Sequence, residues 1–191
     1  MPRLIVGISG STGPHYGVRL LEVLREHRPD IETHLILSSA ARTTISYEMG
    51  RDPDSVLALA AVVHNERNVA ASIASGTFVT DGMVVAPCSM KSLSAIANSY
   101  NDNLIARAAD VCLKERRRLV LVVRETPLHL GHLRLMAQVT ESGAVVLPPV
   151  PGFYHRPRTI EEVIDQTVTK ILDLFGIHLD LIQRWQGIEP D

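Results

Sequence analysis

Five short stretches of the chain, Leu4 to Ile8, Thr33 to Leu37, Gly82 to Ala86, Leu119 to Val123 and Ala144 to Leu147, are mostly apolar without clean polar alternation. Strands buried on both faces read this way, and such strands belong to largely parallel sheets. Between them apolar residues recur at helical spacing: Gly17, Leu20, Leu21 and Leu24 first, then Ala40 to Met49, Ser92 to Ala97, Leu104 to Lys114 and Leu128 to Glu141. A last helix starts at Thr159, which can cap it with Glu162 as reciprocal partner. Ile160, Val163, Ile164, Thr167, Ile171 and Leu174 line one face of it. Strand and helix alternate throughout, which makes the predicted class α/β.

No repeat, low-complexity tract or linker interrupts the alternation, and 191 residues suit one domain with one core, so residues 1–191 are expected to form a single unit. A composition of 46% hydrophobic and 21% charged residues argues against disorder. The formal net charge of -2 gives no electrostatic footprint for nucleic acid. Arg116-Arg117-Arg118 is the basic run, and at the end of a helix it reads as a solvated cationic cap on the dipole. Cys88 and Cys112 form no disulfide framework, and neither a secretory segment nor a membrane span is recognisable, so the expected compartment is the cytoplasm.

Chemistry concentrates where strands end. The loop Gly7-Ile8-Ser9-Gly10-Ser11-Thr12-Gly13 can wrap a phosphate, because glycines allow close backbone approach and the following helix offers unpaired N–H groups; the hydroxyls of Ser9, Ser11 and Thr12 add donors. Packing of helix on strand explains such a loop equally well. A dinucleotide would require an acidic residue at the end of the second strand, where Ser38-Ser39 stands instead, and a Walker A lysine is missing, so FMN suits the loop better than NAD or ATP. Pro87-Cys88-Ser89-Met90-Lys91-Ser92 follows an apolar strand and can offer further donors, or serve as a plain helix cap through Ser89 or Ser92. Cys88 reads as a buried structural thiol.

Arg107 and Lys114 share one helix, and Arg124-Glu125 ends the next strand, where charges of helix and strand end could meet around an anion. A structural ion pair is the competing account, because unpaired charge at a buried strand end is costly. His129 and His132 lie one helical turn apart without a recognisable third ligand, so they read as satisfied helix histidines and no metal site is expected. Phe153, Tyr154 and Trp185 read as core packing. The run Pro148-Pro149-Val150-Pro151-Gly152 is either a rigid active-site loop or a plain sheet-edge loop.

Six blocks in order carry a resemblance over about Leu4 to Gly187: Gly7 to Gly13, Ala74-Ser75-Gly76-Thr77-Phe78, Gly82-Met83 with Pro87-Cys88-Ser89, Arg107 to Val111 through Leu113 to Arg116, Arg124 to Leu128, and Phe153-Tyr154-His155. In these the chain resembles the UbiX/Pad family of flavin prenyltransferases. The resemblance implies a flavodoxin-like Rossmann three-layer sandwich with a mainly parallel sheet. It also implies transfer of the dimethylallyl group of dimethylallyl monophosphate to N5 and C6 of reduced FMN, without a metal. The prenylated FMN would serve a UbiD-type decarboxylase, in ubiquinone biosynthesis or related aromatic acid decarboxylation, and the subunits would form a homo-oligomer, commonly a dodecamer. An older description of the family is 3-octaprenyl-4-hydroxybenzoate carboxy-lyase.

Carried over position by position, Gly10, Ser11, Thr12, Ser38, Ser89, Met90, Lys91, Ser92 and Arg124 would meet FMN. Tyr154, Lys170, Arg107, Lys114, Ser75 and Gly76 would face the donor phosphate, and Glu48 and Glu125, with Lys114 and Thr12, would act in the chemistry. Thr12 stands where the family often has Ser, and Lys170 where it often has Arg; lysine cannot form the two-pronged phosphate clamp of arginine. Two rivals remain: a non-catalytic FMN-binding accessory subunit of a decarboxylase, which would have little use for so many cations, and a flavin-dependent cysteine decarboxylase, whose Pro-x-Met-Asn type of motif is missing.

Overall fold

Six strands form one sheet in the order β3-β2-β1-β4-β5-β6, and every pairing is parallel. They are β1 (Arg3–Ile8), β2 (Glu32–Leu37), β3 (Val62–His64), β4 (Gly82–Cys88), β5 (Arg118–Val123) and β6 (Val145–Val146). The computed structural model describes residues 1–187. Seven helices accompany the strands: α1 (His15–His27), α2 (Ser39–Met49), α3 (Pro53–Leu57), α4 (Met90–Ala97), α5 (Leu104–Lys114), α6 (Leu130–Glu141) and α7 (Ile160–Leu174). Each crossover from one parallel strand to the next needs a connection of this length.

Alternating residues of the strands feed two separate cores, as a doubly wound sheet requires. Leu4, Val6, Ile8, Leu35 and Val84 face the layer built by α1, α2, α3 and α7. Ile5, Ile36, Met83, Val85 and Leu121 face α4, α5 and α6. The continuous apolar runs of the sequence are thus the expected three-layer sandwich. Arg19 on α1 and Asp165 on α7 form a two-pronged ion pair at 2.7 and 3.1 Å, fixing the relative rotation of those helices.

β3 and α3 escape the sequence pattern. β3 has only three residues, half-buried or exposed at the sheet edge, and too few positions to show a period. Thr159 does cap α7, accepting from Glu162 N at 3.2 Å, but the Glu162 carboxylate answers to the N–H of Arg158, one residue earlier than a reciprocal capping box places it. The arginine run is not simply solvated: Arg116 and Arg118 are exposed, whereas the half-buried Arg117 guanidinium binds the carbonyls of Gly76 and Phe78. Phe153, Tyr154 and Trp185 are exposed by 71%, 49% and 57%, so the core-packing expectation for these three aromatics does not hold.

Candidate active site

The sheet order changes direction between β1 and β4: the chain winds outward from β1 through β2 to β3, then returns to β4 on the other side. A crevice opens at the carboxyl ends of strands at such a point. Its walls are the loops after β1, β2, β4 and β5, stapled together by short bonds. Ser9 Oγ donates to Pro87 O and accepts from Ser89 N, both at 2.8 Å. Ser11 Oγ donates to Arg124 O at 2.9 Å, and Ser38 N donates to Ile8 O at 3.1 Å. Gly10 lies against α2 so closely that a Cβ there would sit 2.3 Å from that of Ala40.

These staples bring Gly10, Ser11, Thr12, Ser38, Ser89, Met90, Lys91, Ser92 and Arg124 to the same end of the sheet. Two of the anticipated donors are spent within the protein: the Ser9 hydroxyl is buried on Pro87, and the Ser11 proton points at Arg124 O. What remains for a ligand is the backbone of Gly10, Ser11 and Thr12 and the exposed Thr12 side chain. Pro14 stands at the N-cap of α1 and gives no side-chain cap, and the first turn holds no acidic residue. Such an end offers N–H groups and a positive dipole to an anion. Ser89 caps α4, accepting from Ser92 N at 3.2 Å, and Ser38 caps α2, accepting from Ala41 N at 3.0 Å.

Both carboxylates touch the rim. Glu48 Oε2 accepts from Gly13 N at 2.8 Å, closing the far end of the phosphate loop. Glu125 is exposed beside Arg124 and accepts from its neighbour Thr126 N at 3.0 Å. Tyr16, in the first turn of α1, has its phenol held above the ordinary value by burial, an effect that the nearby Arg124 charge partly opposes. Burial pushes the Cys88 thiol up to about 12, which keeps it an inert core side chain.

The remaining expected residues lie elsewhere. Ser75, Gly76, Arg107 and Lys114 form a second group at α5. Arg107 Nε donates to Ala74 O at 3.2 Å, and a Cβ on Gly76 would lie 2.7 Å from Lys114 Nζ. Asp110 and Asn101 join this group unanticipated: Asp110 Oδ2 accepts from Arg107 Nη1 at 3.3 Å and from Asn101 Nδ2 at 3.0 Å. Lys114 pairs with Glu115. The expectation that Lys114 meets Arg124 and Glu125 fails within one chain, because α5 runs antiparallel to the strands. Lys114 is beside the start of β5 while Arg124 follows its end, about 20 Å away at roughly 3.3 Å per residue.

A third group borders a cavity of about 390 Å³, lined by Leu147, Pro151, Gly152, Tyr154, Gln166 and Lys170. Buried Gln166 accepts from Gly152 N at 2.7 Å and so pins the proline-rich loop to α7. Tyr154 meets Trp185 edge to face, with centroids 5.9 Å apart. Among the described residues, no group of three or more His, Cys, Asp or Glu side chains could hold a metal ion. His129 caps α6, accepting from Gly131 N, and its ring lies tilted against that of His132 with centroids 3.6 Å apart; among the described residues the buried His132 Nδ1 has no hydrogen-bond partner, so the reading of both as satisfied histidines fails there.

The flavoprotein family profile matches residues 1–172. Flavin prenyltransferase UbiX of Escherichia coli K12 is 62% identical over 189 residues, 98% of this chain and all of that protein. The chain belongs to the UbiX flavin prenyltransferase family. Among solved structures, AnUbiX in complex with FMN and dimethylallyl pyrophosphate superposes with a TM-score of 0.95 at 51% identity, covering 98% of this chain and 99% of that one. A dodecameric FMN-dependent UbiX-like decarboxylase from Escherichia coli O157:H7 gives 0.94 at 48%, covering 97% and 100%. The β1/β4 switch is the kind of place where open α/β sheets bind ligands, and the α5 cationic group lies apart from it.

Proposed function

We propose that this UbiX-family chain, acting as a single flavoprotein domain over residues 1–191, transfers a dimethylallyl group from dimethylallyl monophosphate to N5 and C6 of reduced FMN. The product, prenylated FMN, would be passed to a UbiD-type decarboxylase. The observation that carries the reading is the coexistence of an uncapped helix end in a glycine-lined crevice with three further cationic side chains, Arg107, Lys114 and Lys170, that a bound FMN phosphate alone does not require.

The crevice fits FMN: the Gly10 to Thr12 backbone and the start of α1 suit its phosphate, while Ser38, Ser89, Met90, Lys91, Ser92 and Arg124 border the space beyond. When bound and reduced, FMN supplies an electron-rich nitrogen and carbon as prenyl acceptors. The protein's own part begins with the donor phosphate, which gains negative charge as the allylic carbon–oxygen bond breaks. Fixed Lys114, Arg107 and Lys170 charges and the Tyr154 hydroxyl stabilise that charge without reorganising. The cation-like carbon fragment must be held beside its acceptor and away from water, which crevice and loop walls provide. Glu125, exposed next to Arg124, would take the proton released on ring closure, and Glu48 holds Gly13 and with it the phosphate loop.

In one protomer α7 with Lys170 covers one face of the sheet, and α5 with Lys114 covers the other. One phosphate cannot meet both. The complete site therefore needs a second copy to supply the Ser75, Gly76, Arg107 and Lys114 group, which supports a homo-oligomer, with a dodecamer as the proposed assembly. No helix among the described residues is long and apolar enough to cross a membrane, in keeping with a proposed cytoplasmic location.

The test is anaerobic incubation of the purified protein with reduced FMN and dimethylallyl monophosphate, followed by mass spectrometry of the extracted flavin. A mass gain of one prenyl unit that depends on the protein supports the transferase. Unmodified FMN from a folded, flavin-loaded sample, with the diphosphate donor as well as the monophosphate, points instead to an FMN-binding accessory subunit.

A further inference from the structure

The segment Ser75 to Phe78 carries two of the proposed phosphate contacts, yet it belongs to no helix or strand. Its shape is set from below by one side chain. Arg117 Nη1 donates to Phe78 O at 2.8 Å and Nη2 to Gly76 O at 2.5 Å, so both prongs of the guanidinium grip carbonyls two residues apart. A trans peptide points its N–H opposite to its C=O. Turning the Gly76 carbonyl toward Arg117 therefore turns the Thr77 N–H away from it, and that N–H faces Ser75 Oγ at 3.4 Å. Ser75 Oγ in turn lies 2.9 Å from Thr77 Oγ1. The two hydroxyls and the Thr77 N–H are thus gathered on the loop face remote from Arg117, tied to one another so that one hydroxyl proton is left for an anion received there.

The backbone aims Arg117 at this task. At the end of α5 the Arg116 N–H bonds to Leu113 O at 3.1 Å and the Arg117 N–H to Cys112 O at 2.8 Å, with Arg116 left-handed at φ 57°. This pair of hydrogen bonds closes a helix in the manner usually built on glycine. It reverses the chain at once, so that the side chain of Arg117 turns back under the loop. The other end of the loop is held by Phe78, whose ring lies 4.7 Å beneath the Arg3 guanidinium and meets the His34 ring edge-on at 5.3 Å.

We propose that Arg117 is a positioning residue for the donor phosphate: it touches neither flavin nor donor, but its two-pronged grip on Gly76 and Phe78 holds Ser75, Gly76 and Thr77 in the anion-receiving form. This rests on the transferase reading and on the place of Ser75 and Gly76 in it. The fork geometry is the operative property, since lysine keeps the charge but can hold only one of the two carbonyls in line.

The test compares wild type, Arg117→Lys, Arg117→Gln and the exposed neighbour Arg118→Lys in steady-state prenylation of reduced FMN. Flavin affinity and subunit assembly are measured on the same samples. For Arg117→Lys, the KM for dimethylallyl monophosphate is expected to rise about tenfold, the loss of one charge-assisted bond. kcat stays within about twofold, and FMN affinity and assembly do not change. Arg117→Gln raises KM by a similar factor and Arg118→Lys by none. A wild-type KM in a folded Arg117→Lys protein overturns the proposal, as does a defect confined to Arg117→Gln, which would make the charge and not the fork responsible. FMN affinity falling in step with KM also overturns it, because that marks a general structural role. Should the wild type fail to prenylate FMN, the transferase reading falls and this proposal with it; an active wild type with an indifferent Arg117 leaves that reading standing.

Discussion

The cofactor crevice and the α5 cationic group are built on opposite logic. The crevice is tied together within one chain: four strand-end loops are joined by Ser9, Ser11 and Ser38 through bonds of 2.8 to 3.1 Å, with uncharged groups on both sides of each bond. The α5 group is charged and tied mainly by guanidinium contacts: Arg107 on Ala74 and Asp110, Arg117 on Gly76 and Phe78. It also lies at the far end of β5 from Arg124. On the proposed reading, the loops that border the flavin are preorganised within the protomer, whereas Lys114 and Lys170 reach one donor phosphate only between copies. Folding alone should produce the first function and assembly the second.

The sharpest way to break that division is to damage the crevice sterically. Gly10→Ala places a methyl group 2.3 Å from the Ala40 Cβ, an overlap that must displace the loop or α2. Overpacking of this kind costs about 1–3 kcal/mol, which corresponds to a loss of FMN affinity of about fivefold to 150-fold if the cost falls on the bound form. A fluorescence titration of flavin reads it directly. Undiminished binding would show that the loop is not the phosphate cradle.

Lys114→Ala should do the converse. The KM for the donor rises about tenfold or more, because a charge-assisted contact is lost, while flavin binding stays as in wild type. Equal loss of both in a folded variant would make Lys114 structural. The separation of Lys114 from Glu125 sharpens this further. Lys114→Ala and Glu125→Gln chains, each impaired alone, should regain activity when co-assembled. Random mixing restores about a quarter of the sites if each site draws Lys114 from one copy and Glu125 from another. No recovery would return both residues to one protomer.

The same contrast decides what could be read from the sequence. Crevice residues were legible because each motif follows its strand directly, and a parallel sheet sends all strand ends to one side; Gly10, Ser38, Ser89 and Arg124 had to converge. The α5 group was legible only as charges in a row. The distance from Lys114 to Arg124 depends on the direction of α5 and the length of β5, and sequence spacing of ten residues says nothing about it. Ser9 was misjudged as a ligand donor because its partner, Pro87, is 78 residues away. Arg117 was misjudged as a solvated charge because its partners are carbonyls, which any residue could offer. β3 was missed because three edge residues carry no pattern.

A smaller effect separates the two regions by pH. The crevice staples do not titrate, but the ring of Phe78, which anchors the donor loop, rests on His34, and His34 bridges Glu32 at 2.8 Å and His64 at 2.9 Å. Burial and then the His34 charge hold His64 below its ordinary value of 6.5. A histidine depressed in the folded chain takes up its proton more readily when unfolded. Its contribution is therefore complete above 6.5 and is lost as pH falls from there toward the lower folded value. The slope cannot exceed about 1.4 kcal/mol per pH unit for one proton, and partial solvent exposure lowers it. Glu32, depressed by His34 and then Arg3, adds its own loss only below its ordinary 4.5. Thermal melts from pH 7.5 downward should show a first decline that His64→Asn flattens. An identical decline in the variant would assign it to another group.

The smallest effect concerns Arg116, whose left-handed backbone at φ 57° lets the chain turn back from α5 toward β5. A side chain in that conformation costs about 1–2 kcal/mol, and glycine removes the cost. Glycine also loses more freedom on folding, which returns roughly 0.4–1 kcal/mol. Arg116→Gly should thus stabilise the chain by about 0.5–1 kcal/mol, a rise in Tm of about 1–4 °C for a domain of this size. Because the turn is unchanged, Arg117 still reaches Gly76 and Phe78, and the donor KM should stay at its wild-type value. A stabilised protein with a raised KM would mean that the Arg116 charge itself meets the donor. A lower Tm would mean that this side chain stabilises the fold by more than its backbone strain costs.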